Sequence, residues 1–177
     1  MKNYYFLLAL LLFKGMPAAA QERANTMALS IGPELNIAQR SAYNIGYGVS
    51  AKFELPVLAK VNLVLTGAYN RFSYKSFLIG SAIKPGADSY IPLKGGFKYY
   101  LDPRFYIELE LGTIIANNTS TNFNGSGNLF TYSLGTGLLI PVGSSKSNLL
   151  DLGLRYEDWS KNRLQQFAIR AAYRFGF

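Results

Sequence analysis

Apolar and polar side chains alternate along most of this chain with a period of two residues. The pattern is clearest at the carboxyl terminus. One set of alternating positions there is Phe167, Ile169, Ala171, Tyr173, Phe175 and Phe177, and the other is Ala168, Arg170, Ala172, Arg174 and Gly176. Because successive side chains of a strand point to opposite faces, this segment predicts a strand with one apolar and one polar face. An apolar outer face and a polar inner face are typical of a membrane barrel.

Seven further segments show the same alternation, so we predict eight strands. Most are close to the roughly 9–11 residues that a tilted strand needs to cross a bilayer. The predicted strands are 26–36, 44–55, 61–70, 90–101, 105–115, 129–140, 149–156 and 167–177. We therefore predict an all-β fold, an eight-stranded antiparallel up-and-down transmembrane β-barrel.

The connections between these strands are of two kinds. Those at one end are mostly long, and those at the other end are mostly short. The first group is 37–43, 71–89, 116–128 and 157–164, and the second is 56–60, 102–104 and 142–148. Long loops outside the cell and short turns in the periplasm are the outer-membrane pattern, and the even strand number places both termini in the periplasm. Pro33 and Pro92 fall inside predicted strands, so we expect each to lie at a bulge or near a rim.

The first 20 residues predict a cleaved secretory signal peptide. Met1 and Lys2 precede an apolar run at 4–13, and the segment 18–20, three alanines, provides an A-x-A cleavage site before Gln21. The run is far shorter than the roughly 20 residues of a membrane helix. We predict a signal peptide at 1–20, an outer-membrane β-barrel domain at 21–177, and location in the bacterial outer membrane.

The net charge of +8 falls to +6 (8 − 2) once Lys2 and Lys14 leave with the signal. The remaining basic residues are spread singly rather than clustered, which does not favour a nucleic-acid partner. We expect outer-membrane lipid and lipopolysaccharide as the anionic neighbours. The segments 71–89 and 116–128 are candidates for contact with an extracellular ligand.

The charged residues on the inner faces are the main candidates for chemistry. They comprise six basic and four acidic side chains: Lys52, Glu54, Lys94, Lys98, Glu108, Glu110, Asp151, Arg155, Arg170 and Arg174. An eight-stranded barrel is just wide enough for its own side chains, and an unpaired charge there is costly. We therefore favour a structural ion-pair network over a conduction path along the same residues.

Catalysis is not favoured by the residue types available. Glu108 and Glu110 share a face, as carboxylate pairs of some hydrolases do, but Lys94 and Lys98 on the preceding strand favour a counterion role. The chain has no histidine and no cysteine. The usual general base, thiol chemistry and zinc-thiolate sites are thereby excluded, and we predict no enzyme activity, cofactor or metal.

Aromatic residues crowd the ends of the predicted strands. In a barrel such residues form girdles at the two membrane interfaces, and we assign the pairs near strand ends to them. These are Tyr43 and Tyr47, Phe72 and Tyr74, Tyr99 and Tyr100, Phe105 and Tyr106, and Phe175 and Phe177.

The stretch from Ile91 to Leu101, followed by a short turn and Phe105-Tyr106-Ile107-Glu108, resembles the outer-membrane protein β-barrel domain family, often called porin-family proteins. The chain is also similar to small barrels of the OmpA/OmpX kind. The resemblance implies the fold and the location, and many members have no assigned activity. It also implies that Tyr173, Phe175 and Phe177 form a carboxyl-terminal signal for the barrel-insertion machinery.

Three functional hypotheses remain open from the sequence. The favoured one is a non-enzymatic barrel, filled by its own side chains, that supports the envelope or binds something at its surface. The second is a narrow passive channel for ions or small solutes. The third is an outer-membrane lipid-modifying enzyme or a soluble lipocalin-like carrier.

Overall fold

The computed structural model is a closed barrel of eight antiparallel strands, and it describes residues 26–39, 43–74, 87–117, 128–142, 148–160 and 164–177. Each strand pairs with its sequence neighbours, and the first pairs with the last to close the sheet. The strands are β1 (Ala28–Gln39), β2 (Tyr43–Leu58), β3 (Val61–Tyr74), β4 (Ala87–Asp102), β5 (Phe105–Asn117), β6 (Leu129–Pro141), β7 (Asn148–Trp159) and β8 (Leu164–Gly176). The predicted fold class is confirmed. The predicted signal peptide at 1–20 lies outside the described residues, so it stays a prediction.

The outer wall of the barrel is apolar on every strand. Outward side chains such as Ile31, Leu134 and Phe97 are more than half exposed, while their sequence neighbours are buried or lie closer to the interior. A continuous apolar surface of this kind is unfavourable in water and favourable in lipid. No described residues form a helix long and apolar enough to cross a membrane.

The two ends of the barrel differ in their connections. Strand pairs β2–β3 and β4–β5 are joined by two residues each, at 59–60 and 103–104, and the termini lie at the same end. At the opposite end, 12 residues (75–86) separate β3 from β4 and 11 residues (118–128) separate β5 from β6. Since short turns face the periplasm in outer-membrane barrels, we name the first end periplasmic and the second extracellular.

The prediction of bulges or rim positions for the two prolines is wrong. Pro33 lies within β1 and Pro92 within β4, and the pairing register is the same on both sides of each. The β1–β8 ladder instead omits Gly32 and Pro33, passing from Ile31 opposite Tyr173 to Glu34 opposite Arg170. Proline has no N–H to donate, so each ring interrupts pairing with one neighbouring strand and leaves the other ladder intact.

Candidate functional site in the barrel lumen

The lumen holds all ten of the charged residues predicted to face inward, and each is buried. Two further carboxylates, Glu34 and Glu157, join them there with side chains at 3% and 0% exposure. Six cations and six anions therefore form the ion-pair network of the described lumen. The cations are Lys52, Lys94, Lys98, Arg155, Arg170 and Arg174, and the anions are Glu34, Glu54, Glu108, Glu110, Asp151 and Glu157.

Several pairs of this network join strands that are not neighbours in the sheet. Lys52 Nζ on β2 lies 2.6 Å from Glu108 Oε2 on β5, and Lys94 Nζ on β4 lies 2.6 Å from Glu157 Oε2 on β7. The two terminal nitrogens of Arg155 on β7 donate to both carboxylate oxygens of Glu34 on β1, at 3.2 and 3.1 Å. None of these strand pairs is adjacent in the sheet. The two lysine pairs join strands three apart and reach across the interior, whereas the Arg155–Glu34 pair bridges over β8.

Glu54 is the centre of the network toward the periplasmic end. Its carboxylate lies 2.5 Å from Lys98 Nζ and 3.2 Å from an Arg174 terminal nitrogen, and it accepts a hydrogen bond of 2.8 Å from the Tyr100 hydroxyl. The side chain is completely buried. A carboxylate in such a place stays charged only because several donors surround it.

Arg170 on β8 ties three other strands together. Its Nη1 lies 3.2 Å from Asp151 Oδ2 on β7, its Nε donates to Ser50 Oγ on β2 at 2.8 Å, and its Nη2 donates to Ser30 Oγ on β1 at 3.0 Å. The planar guanidinium suits this role, because its donors point in fixed and different directions.

The periplasmic layer, which we define as Tyr100, Tyr106, Leu139 and Leu149, lies on the periplasmic side of the network. The Tyr106 hydroxyl donates to Asp151 Oδ1 at 2.6 Å, and Lys98 Nζ lies 4.0 Å from the centre of its ring. Gly137 makes room for this tyrosine, because a Cβ there would collide with the phenol.

The extracellular layer lies on the extracellular side of the network. It comprises seven buried residues: Tyr43, Phe72, Tyr90, Ile114, Leu129, Trp159 and Leu164. Tyr90 packs edge-to-face on Trp159 with ring centres 4.8 Å apart. Trp159 also donates its indole N–H to Glu157 at 2.7 Å, which joins this layer to the ion-pair network.

Both layers correct the assignment of strand-end aromatics to membrane girdles. Tyr43, Phe72, Tyr100 and Tyr106 point into the lumen and are buried. Tyr47, Tyr99, Phe175 and Phe177 are exposed on the outer wall. Aromatic residues at the strand ends therefore serve both faces of the barrel.

The sequence analysis missed Glu34 and Glu157 as members of the network. Glu34 lies on the polar face of β1, where the alternation already placed it inward. Glu157 continues the inward series Asp151, Gly153 and Arg155 of β7, but the prediction ended that strand at residue 156, three residues before Trp159. In both cases the period of two is the signal that identifies them.

The carboxyl-terminal aromatic residues lie at the periplasmic end of the wall. The backbone N–H of Phe177 donates to the Met27 carbonyl at 2.9 Å, and its ring stacks on Phe53 with centres 6.4 Å apart. Phe177 is 69% exposed. This position leaves the ring accessible, and its role as an insertion signal, with Tyr173 and Phe175, stays a prediction.

The chemistry of the described lumen is that of buried ion pairs. No cluster of three metal-binding side chains occurs within the residues described. Every cation of the network has a carboxylate within 4 Å. The arrangement favours rigidity and electroneutrality over proton transfer or metal binding.

A closed antiparallel barrel with an apolar outer wall and a charged interior has the architecture of an integral outer-membrane protein, as the sequence predicts. The chain matches no family model and no curated protein. The fold itself has solved counterparts.

Three solved structures share this architecture. Neisserial surface protein A has a TM-score of 0.59 at 15% identity, covering 85% of this chain and 97% of its own. OprG from Pseudomonas aeruginosa has a TM-score of 0.58 at 11% identity, covering 88% and 97%. Ail, the attachment invasion locus protein of Yersinia pestis, solved with the heparin analogue sucrose octasulfate, has a TM-score of 0.54 at 15% identity, covering 85% and 99%. The chain is thus similar in fold to small outer-membrane barrels.

Proposed function

We propose that this protein is a non-enzymatic outer-membrane barrel whose lumen is closed by its own side chains and which acts at the cell envelope as a structural or surface-binding protein. The supporting observation is the set of ion pairs that join strands far apart around the barrel, such as Lys52 on β2 with Glu108 on β5 and Lys94 on β4 with Glu157 on β7. Ion pairs between neighbouring strands would leave the centre of the lumen open. Ion pairs between strands far apart in the barrel place their side chains in the centre.

The two apolar layers support the same proposal. Each covers one end of the ion-pair network with rings that pack against one another, as Phe72 does on Trp159 at 5.9 Å. A solute would have to displace both layers and break ion pairs in a poorly solvated space. Breaking buried pairs costs several kcal/mol, on the order of 3–5 for the loss of one partner.

The surface-binding part of the proposal concerns the extracellular end. We keep the segments 71–89 and 116–128 as the proposed places of contact with an extracellular ligand. Within these segments, the ends of β3, β4 and β5 are described, and they form part of the extracellular rim of the barrel.

Conductance in planar bilayers tests the closed lumen directly. We expect the refolded protein, checked for folding by its faster migration without boiling on a denaturing gel, to show no steady current. Arg155→Ala should lower stability, because it leaves Glu34 short of its bidentate partner, and the two apolar layers should keep the variant closed. Lys60→Ala, at a periplasmic turn outside the network, is the matched control.

A conducting lumen would give a different set of results. A stable channel in the unchanged protein, with an ion selectivity that shifts in Arg155→Ala and Arg170→Ala but not in Lys60→Ala, would overturn the closed-lumen proposal. It would establish the narrow channel instead.

A further inference from the structure

A groove lies on the outer wall of the barrel, toward its extracellular end. It has a volume of about 660 Å³ and crosses β8, β1, β2 and β3. This volume lies within the roughly 300–1,000 Å³ of small-ligand sites. One residue of the lumenal network, Glu34, reaches the groove, but it is buried and paired with Arg155. An inference from the outer side of the groove is therefore independent of whether the lumen conducts.

Small side chains create the groove in an otherwise bulky wall. Pro33 and Ala171 lie on its floor, while the outward neighbours on their strands are large, among them Leu35 and Ile169. The β1–β8 register places Leu35 opposite Ile169, so these two side chains form one edge. The lining is mainly apolar, and its one carboxylate, Glu34, is buried and neutralised by Arg155. The lipid-facing part of the groove is therefore suitable for an acyl chain.

A cation stands at the extracellular side of the groove. Arg71 lines it, is exposed on the outer wall, and lies opposite Tyr47 in the β2–β3 ladder. In the part of the chain that the structure describes, no carboxylate forms a salt bridge with Arg71, in contrast to the six cations of the lumen. Its guanidinium is therefore available to an anion outside the protein.

The position of Arg71 along its strand indicates which kind of anion it can meet. It is the eleventh residue of β3 counted from Val61 at the periplasmic end. About 9–11 residues of a tilted strand cross the hydrocarbon, so Arg71 reaches the headgroup level of the outer leaflet. Tyr69 and Ser89, whose hydroxyl oxygens are 2.9 Å apart, mark the same level on β3 and β4.

We propose that this groove binds one molecule of the phosphorylated acyl lipid of the outer leaflet, lipid A, with a phosphate on Arg71 and an acyl chain over Pro33 and Ala171. Arginine recognises phosphate through two parallel N–H donors, which gives a charge-assisted interaction. The apolar floor binds the acyl chain, which is the part of the lipid that inorganic phosphate does not have. Charge at one side and an apolar floor beside it match an anionic lipid better than a neutral one.

Native mass spectrometry of the refolded barrel in detergent micelles tests the site. The probes are bis-phosphorylated lipid A, the same lipid without phosphates, phosphatidylglycerol and inorganic phosphate. We expect one tightly bound lipid A, with the dephosphorylated lipid binding roughly tenfold more weakly, the effect of one charge-assisted hydrogen bond. Phosphatidylglycerol should also bind more weakly, and inorganic phosphate should not be retained.

Two variants and two matched controls separate the parts of the site. Arg71→Ala should weaken lipid A binding roughly tenfold by removing the phosphate partner, and Ala171→Leu should weaken it by filling the floor. Lys60→Ala removes an exposed cation at the opposite end, and Ala51→Leu enlarges an outward alanine that does not line the groove. Both controls should bind lipid A as the unchanged protein does.

Several results would overturn the proposal. Equal binding by Arg71→Ala and the unchanged protein would exclude the phosphate contact. Equal weakening by Ala51→Leu and Ala171→Leu would indicate unspecific lipid around the barrel. Retention of inorganic phosphate with no effect of Ala171→Leu would show an anion site without a lipid, and a dimer that disappears in Ala171→Leu would show that a second copy occupies the groove.

Discussion

The middle of the lumen and its extracellular end are enclosed by the same eight strands but filled by opposite chemistry. In the middle, Lys52, Glu108 and their neighbours form ion pairs across the barrel. At the extracellular end, Phe72, Tyr90 and Trp159 pack ring against ring. The same barrel wall therefore encloses an ionic core in its middle and an aromatic core at its extracellular end.

The two regions differ in how they respond to loss of a side chain. An apolar layer loses contacts in proportion to the atoms removed, and neighbours relax into part of the space. An ion-pair network loses much more when one partner is removed, because the other charge stays buried without compensation. The ionic middle should therefore be the more sensitive region, although replacing a whole pair with apolar residues can be neutral.

The largest effect is expected from Glu54→Ala in the ionic middle. This change leaves Lys98 and Arg174 without their shared carboxylate, and we expect a loss of about 3–5 kcal/mol in unfolding free energy. Urea unfolding in lipid vesicles, followed by fluorescence, measures it. Trp159 is the single tryptophan of the chain, so the signal reports on the extracellular layer.

Glu54→Gln is the matched variant for that experiment. It keeps the shape and part of the hydrogen bonding but removes the charge, so its loss should be smaller than that of Glu54→Ala. If Glu54→Ala unfolds at the same urea concentration as the unchanged protein, the ionic middle does not carry the stability assigned to it.

A smaller effect is expected from Leu164→Ala in the extracellular layer. Leu164 is 1% exposed and packs within the aromatic cluster, so truncation leaves a cavity and should cost about 2–3 kcal/mol. The same urea titration measures it. Leu164→Met keeps the volume and should cost less than about 1.5 kcal/mol. A loss for Leu164→Ala greater than that for Glu54→Ala would reverse the comparison between the two regions.

The smallest effect is expected at the junction of the two regions. Trp159→Phe keeps a ring in the extracellular layer but removes the indole N–H that donates to Glu157, which should cost about 1–2 kcal/mol. Because fluorescence is lost with the tryptophan, unfolding is followed by migration on an unboiled gel. A double-mutant cycle with Glu157→Gln should show that the two changes are coupled, and strict additivity would mean that the layers are independent.

Much of this architecture could be predicted from the sequence because a strand's period of two is a local property. The alternation placed all ten predicted charges on inner faces without any knowledge of their partners. It also places Tyr100 and Tyr106 on the inner faces of their predicted strands, and it identifies Phe72 as inward once β3 is extended to its full length, since each belongs to the even-numbered inner series of its strand.

Two aspects could not be predicted in this way. Tyr43 has the odd number of the outward series in β2, yet it is buried, because the β2–β3 register shifts between Tyr43 and Gly46 and changes the side that it faces. The choice of partners within the lumen, such as Arg155 with Glu34, depends on how the closed sheet is staggered. Stagger is a property of the whole barrel, which no single strand encodes.

The interruption at Pro33 has a consequence for the order in which the barrel assembles. Seven of the eight strand pairings join neighbours in sequence, whereas β1–β8 joins Glu34 to Arg170, 136 residues apart (170 − 34). Contacts between distant residues are entropically the slowest to form, and this ladder also omits Gly32 and Pro33. The β3–β4 ladder has a similar gap beside Pro92, but it joins strands that are neighbours in sequence. The β1–β8 seam is therefore expected to pair last during folding and to open first in the finished barrel.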